Sequence, residues 1–174
     1  AYITEIAQKL FAQHGNSLQD HPTDYFSDIA KDQISQHQKE SLKSINIEFD
    51  VYFRENSLYE DGQVWEALKI LKDKGYVYEK DGAEWFRTTE FGDDKDRVIV
   101  KNTGEPTYRM PDIAYHWNKA QRGFDLVIDF FGPDHHATAP QVLMGVQALG
   151  YDTSFVRTIL HQIVSLVRSG EQVK

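Results

Sequence analysis

Apolar positions recur along this chain with two periods, and each predicts a different element. At spacings of three and four, Ile3, Ile6, Ala7, Leu10 and Phe11 predict an amphipathic helix over residues 1 to 14. A second helix is predicted from about 23 to 45. Its apolar positions, such as Ile29, Ala30 and Ile34, are sparse among Lys, Asp and Gln, which suits a surface or a bridge to another part of a larger protein. From Ile45 to Phe53 the period drops to two, predicting a half-buried strand. Asp61-Gly62 introduces a helix over 63 to 74, with Val64, Leu68 and Leu71 on one face and Gly75 as its stop.

Short strands are predicted at 76–78 and 84–88, joined by a turn at Lys80-Asp81-Gly82, and again at Val98-Ile99-Val100. Thr103-Gly104-Glu105-Pro106 marks a turn, and Pro111 suits the first turn of a helix. On that helix Asp112, Tyr115, His116 and Lys119 share one face, while Ile113, Trp117 and Ala120 form an apolar stripe opposite. The apolar run Leu126 to Phe131, between Gly123 and Gly132-Pro133, predicts a buried central strand. It empties into Asp134-His135-His136. Thr138, as a cap, and Pro140 then open a helix through Val142, Leu143, Val146 and Leu149 that Gly150 closes.

Strand, glycine turn and helix make the βα unit of an open α/β sheet. Ligands of such sheets sit beyond the carboxyl ends of the strands, where helix amino termini present free N–H groups. Asp134, His135 and His136 fall there. Asp134 can equally serve only to shape the turn, and the two histidines can be surface residues. Adjacent histidines point in different directions and no third ligand lies at a zinc spacing, which disfavours a metal site. Asp93, Asp94 and Asp96 lack the remaining ligands of a calcium loop and are expected to form a solvated turn. Asp112 can do no more than offset the positive end of its helix. Beside phenol groups, however, a carboxylate can hold a cationic ligand, and a planar guanidinium gives it the strongest bidentate fit.

Composition narrows the field. A chain of 174 residues, 40% hydrophobic and 13% aromatic, can bury one good core, or a modest core with an appended lobe. Without cysteine it has no disulfide or thiolate chemistry, and no apolar run approaches membrane-spanning length, so a cytoplasmic protein is expected. A formal net charge of −8 argues against broad electrostatic binding of nucleic acid. The chain opens directly in a helix without an initiator methionine and stops at Lys174 without a closing element, which predicts a segment of a longer protein.

Thr107-Tyr108 to His116, Arg122-Gly123-Phe124-Asp125 and Gly132-Pro133-Asp134-His135-His136 together resemble the bacterial form of arginyl-tRNA synthetase, a class I aminoacyl-tRNA synthetase. The likeness extends back through Gly92 to Val98 and Gly82 to Phe86, and forward to Gly170-Glu171-Gln172-Val173-Lys174; residues 1–44 match loosely. Pro133 stands where the family usually has a small residue, and Ala137-Thr138-Ala139 where it has Gly-His-Val. The resemblance implies an α/β fold: the second half of a class I Rossmann-type catalytic domain over 84–174, preceded over 1–83 by a mostly helical α+β insertion. The HIGH-type signature and the anticodon-binding domain are absent from these residues. Thr158 to Arg168 reads as an amphipathic helix by period alone; the family implies instead a strand that delivers the KMSKS-type loop, and a strand is expected.

Carried over position by position, the resemblance implies that Tyr108 and Asp112 recognise the substrate arginine, Asp112 pairing with its guanidinium. His135 falls in the same amino-acid pocket; Tyr115 and His116 can line it, though packing explains both as well, and Gly132 and Asp134, with His136 beside them, approach the adenosine of ATP. Lys174 matches the first lysine of the KMSKS-type loop. The implied partners are L-arginine, ATP with Mg²⁺ as the substrate complex, and tRNA(Arg), with no membrane and a monomeric full-length enzyme. The reaction is attack of the arginine carboxylate on the α-phosphate, then transfer to the tRNA. It works by positioning and charge stabilisation, so no catalytic nucleophile or general base is expected here, and these 174 residues alone are expected to be inactive. The alternative is a stand-alone arginine- or nucleotide-binding α/β module.

Overall fold

The structure, a computed structural model, describes residues 2–173 and divides after Phe53 into two compact units. The first holds helices α1 (Tyr2–His14) and α2 (Thr23–Lys43), packed together. The α1 helix stops at Gly15, whose φ of +56° an L side chain adopts only with strain; its N–H donates to the Phe11 carbonyl at 2.7 Å. Ile6, Leu10, Phe11, Leu18 and Phe26 line an apolar groove of about 270 Å³. Neither helix has a fully buried residue, in keeping with the sparse apolar positions of α2.

The strand expected over 45–53 does not form. Ile45 and Val51 are 65% and 64% exposed, and no second strand of this unit pairs with the segment among the described residues. It runs back along α2 instead, the Ile47 N–H donating to the Leu42 carbonyl and Lys39 lying 4.4 Å from the Tyr52 ring. Alternation marks a surface that a sheet could use; it cannot supply the neighbouring strand.

The second unit begins with a short helix, α3 (Asn56–Glu60), which periodicity did not reveal, and α4 (Gln63–Asp73), whose Val64, Ala67, Leu68 and Leu71 are buried. At its end the Tyr76 N–H returns to the Leu71 carbonyl around Gly75 at φ +78°. Three antiparallel strands follow in the order β1 (Val77–Lys80), β2 (Ala83–Phe86), β3 (Arg97–Val100). Asp81 and Gly82 both have positive φ, as a tight two-residue hairpin turn requires. The acidic loop is more ordered than a solvated turn. Asp93 makes a bidentate pair with the Arg97 guanidinium at 2.8 Å, Asp94 meets the same group, and Asp96 accepts from Thr89 and Tyr78. These bonds hold the Asp93 carboxyl well below the ordinary carboxylate range, the Arg97 bond being the largest cause.

Helix α5 (Arg109–Gln121) hangs from β3. The Thr107 N–H donates to the Ile99 carbonyl and its hydroxyl to the Val98 carbonyl, both under 3 Å. Then β4 (Val127–Phe131), α6 (Thr138–Leu149) and β5 (Val156–Leu160) form a β–α–β unit with parallel strands in continuous register from Val127↔Val156 to Phe131↔Leu160. Met110, Ile113 and Trp117 of α5 are buried with Val142 and Val146 of α6, and Gly145 lets the helices approach: a Cβ there would meet Ile113 at 2.5 Å. Lys74 donates to the Ala148 carbonyl at the end of α6, where a cation offsets the helix dipole. The architecture is α/β with a parallel pair.

Three expectations around it are corrected. Strand β4 is not buried on both faces: Leu126, Ile128 and Phe130 are 52%, 47% and 69% exposed, because only β5 pairs with it among the described residues. Thr138 does not cap α6 but is its first residue, its hydroxyl donating to the His135 carbonyl. The strand expected over 158–168 is two pieces. Strand β5 ends at Leu160, residues 161–166 are irregular, and β6 (Val167–Arg168) pairs with β7 (Glu171–Gln172) in a hairpin turned at Ser169-Gly170.

Candidate functional site

The polar residues of α5 point toward the end of β4, and the sequence dictates how. Pro111 sits in the first turn, so Asp112 falls where free N–H groups favour negative charge, one helical turn after Tyr108. Tyr108, Asp112 and Tyr115 lie at i, i+4 and i+7, on one face.

Asp112 is half-buried, and its carboxylate makes no hydrogen bond or ion pair among the described residues. Burial raises its pKa above the ordinary carboxylate value and Glu55 adds to this; His116, His135 and Lys119 pull the other way without reversing it. Tyr59 of α3 belongs to the same group, its phenol pKa raised by burial and then by the charges of Glu55 and Asp112. A cluster of two carboxylates with a raised carboxyl pKa and a phenol beside it suits a cation with several N–H donors.

Tyr108 stands at the start of α5, 54% exposed, with the Arg109 guanidinium 4.7 Å from its ring. Arg109 is fixed in turn by the buried Gln141 of α6, at 2.9 Å. Tyr115 has Lys119 over its ring at 4.7 Å and lies edge-on to His116.

At the end of β4 the chain turns through Gly132 into a short 3-10 turn, Pro133–His135. Gly132 is needed here for space, its φ of −67° being ordinary: a Cβ would meet Asp134 Oδ1 at 2.5 Å, so the Asp134 carboxylate folds back over the glycine. His135 stacks on Phe131 at 5.0 Å, with its Nε2 3.7 Å from Asp134. His136 is exposed as the turn ends. The structure therefore brings Asp112 and His135 within electrostatic reach of each other and sets Gly132 and Asp134 beside them. Lys174 lies outside the described residues.

Pattern reading missed three residues: Glu55, Tyr59 and Asp129. Tyr59 comes from a helix too short to leave a periodic signal and Glu55 stands just before it, both more than fifty residues ahead of Asp112. For Asp129 a signal existed, a carboxylate in the middle of an apolar strand. It accepts from His116 Nε2 at 2.9 Å and from Lys119 Nζ at 2.5 Å, with all three side chains about 90% buried. Burial opposes its ionisation, but these two bonds outweigh that and lower its pKa. Among the described residues no group of His, Asp and Glu is placed to hold a metal ion, and no helix is long and apolar enough to cross a membrane.

Comparison with known proteins identifies the family. The family of class I tRNA synthetases (R), catalytic domain, matches residues 4–174. An arginine–tRNA ligase of Desulfotalea psychrophila is 54% identical over 174 residues, and one of Salinibacter ruber 51% over 176, each across 99% of this chain. The chain spans about a third of their length, 32% and 31%. A solved arginyl tRNA synthetase structure from Campylobacter jejuni superposes over 99% of this chain and 38% of its own, with a TM-score of 0.86 at 33% identity. The arginyl-tRNA synthetase of Plasmodium falciparum shares the fold, at a TM-score of 0.66 and 12% identity over 91% of this chain and 28% of its own. By the extent of these matches, the chain belongs to the class I tRNA synthetase (R) catalytic-domain family.

Proposed function

We propose that this chain carries the arginine-reading half, and part of the nucleotide-facing half, of an arginine–tRNA ligase that activates L-arginine with ATP and transfers it to tRNA(Arg) in the cytoplasm. The observation that carries the reading is the half-buried Asp112 carboxylate, raised in pKa and without a partner among the described residues. An arginine guanidinium would supply the charge and the paired N–H donors that this group lacks. Tyr108, Tyr115 and His135 would border it, and Glu55 and Tyr59 add a second carboxylate and a phenol nearby. Gly132, Asp134 and His136 would face the adenosine, Asp134 accepting from a ribose hydroxyl. ATP enters as its Mg²⁺ complex, a substrate and not a resident cofactor.

Residues 1–83 are proposed as the insertion and 84–174 as the second Rossmann half, with Lys174 opening the KMSKS-type loop and the full-length enzyme a monomer. A stand-alone arginine- or nucleotide-binding module is not favoured, since the match to enzymes named arginine–tRNA ligase runs along nearly the whole chain.

The test is a two-dimensional NMR titration of the chain with L-arginine, with L-lysine as control. Shifts at α5 and at residues 132–136 that arginine causes, lysine does not, and Asp112→Ala abolishes are expected. Equal shifts with both amino acids, or arginine shifts that survive in Asp112→Ala, would remove Asp112 from the role.

A further inference from the structure

The proposed ligand groups sit on two consecutive elements joined through residues 122–126. Helix α5 carries Tyr108 and Asp112; strand β4 delivers Gly132, Asp134 and His135. Between them lies the cluster of Asp129, His116 and Lys119. His116 is placed to bridge the two: Nδ1 lies 2.9 Å from the main-chain carbonyl of Asp112 itself, and Nε2 lies 2.9 Å from Asp129 Oδ2 on β4. Lys119 Nζ closes the cluster on the other carboxylate oxygen and lies 3.1 Å from His116 Nε2.

A buried ion pair is a poor way to gain stability, because desolvation offsets most of the attraction and apolar residues of similar volume would hold the helix as well. What it adds is direction. A carboxylate bonded on both oxygens fixes the sliding and the rotation of the helix over the strand, which apolar packing leaves softer.

We propose that Asp129, His116 and Lys119 are positioning residues for arginine activation, locking α5 to β4 and so setting the separation between the guanidinium-reading group and the nucleotide-facing turn. This rests on the function proposed above. Attack of a carboxylate on a phosphorus atom is sensitive to approach distance, and a displacement of about 1 Å can cost on the order of a hundredfold in rate. The cluster borders the proposed arginine site through Asp112 and Tyr115 without being assigned a substrate atom, so its loss is expected to act on the reacting geometry and to appear in kcat more than in either KM.

The experiment uses the full-length protein with tRNA(Arg) present throughout, and arginine-dependent ATP–pyrophosphate exchange normalised to titrated active sites. Asp129→Leu, Lys119→Met and His116→Leu are compared with the conservative Asp129→Asn, Lys119→Arg and His116→Gln, and melting temperature is recorded throughout. The expected result is a kcat per site lowered about tenfold or more in the apolar variants, with KM for arginine and for ATP each within about threefold of the parent, and a partial return of kcat in the conservative set. Should Asp129→Leu not fold, Lys119→Met carries the same comparison. An unchanged kcat per counted site, with activity lost only through fewer folded molecules, would overturn the proposal, as would a rise in KM for arginine alone. Absence of arginine-dependent exchange in the parent protein is a separate outcome that removes the underlying function.

Discussion

Asp112 and Asp129 lie on neighbouring elements and are perturbed in opposite directions, so the sequence letter alone says little about either. Asp112 loses water without gaining a partner and its pKa rises; Asp129 loses water too, but His116 and Lys119 lower it. The raised carboxyl opposes folding at neutral pH, where it must be charged, and stops doing so as pH falls through its folded pKa. Asp112→Asn is accordingly expected to stabilise the ligand-free chain at pH 7, read as a higher melting temperature. The sign reverses for Asp129. Its depressed pKa contributes stability that is complete above the ordinary value of 3.8 and is lost as pH falls below it through the folded pKa. Between pH 5 and pH 2.5 the parent is therefore expected to lose more stability than Asp129→Asn, measured by urea unfolding at each pH. Equal losses would mean that the bonds to His116 and Lys119 are weaker than their geometry implies.

Among the elements, those with their own local signals were legible and those that depend on partners were not. Helices α1, α2, α4, α5 and α6, the hairpin at Asp81-Gly82 and the strand before Gly132 could all be read from period and punctuation. The expected strand over 45–53 failed because alternation cannot state whether a partner strand exists. The segment 158–168 failed because a continuous apolar run hides the break at His161. At the site, Asp112, Gly132 and Asp134 could be found on motif and chemistry, whereas Glu55, Tyr59 and Asp129 needed the tertiary fold. The loop before β3 carries a prediction of its own. Side chains of Asp93 and Arg97 are only 11% and 17% exposed, so their fork is a fixed brace of the loop against the start of β3 and no solvated pair. Asp93→Ala is expected to cost about 1–3 kcal/mol, because it leaves the enclosed guanidinium with Asp94 alone. A change under about 0.5 kcal/mol in the denaturant midpoint would return the loop to the role of a solvated turn.

For the whole molecule, two units of different character are joined at Phe53-Arg54. The first is a pair of helices without a fully buried side chain, and the second contains the core and every described residue of the candidate site. In that second unit the outward row of β4 is Leu126, Ile128 and Phe130, the last 69% exposed. A formal charge of −8 keeps molecules apart at low ionic strength, but salt screens that repulsion while leaving an apolar strip untouched. The 174-residue chain is thus expected to behave as a sticky colloid whose association increases with salt, and Phe130→Ser is expected to reduce it. Sedimentation velocity at two salt concentrations reads both effects, and association that weakens with salt would point to charge instead of the strip. The same row bears on how the chain is made: a run of alternating bulky apolar residues left exposed is the kind of stretch that holdase chaperones grip, and the strand that leads to Gly132 presents one.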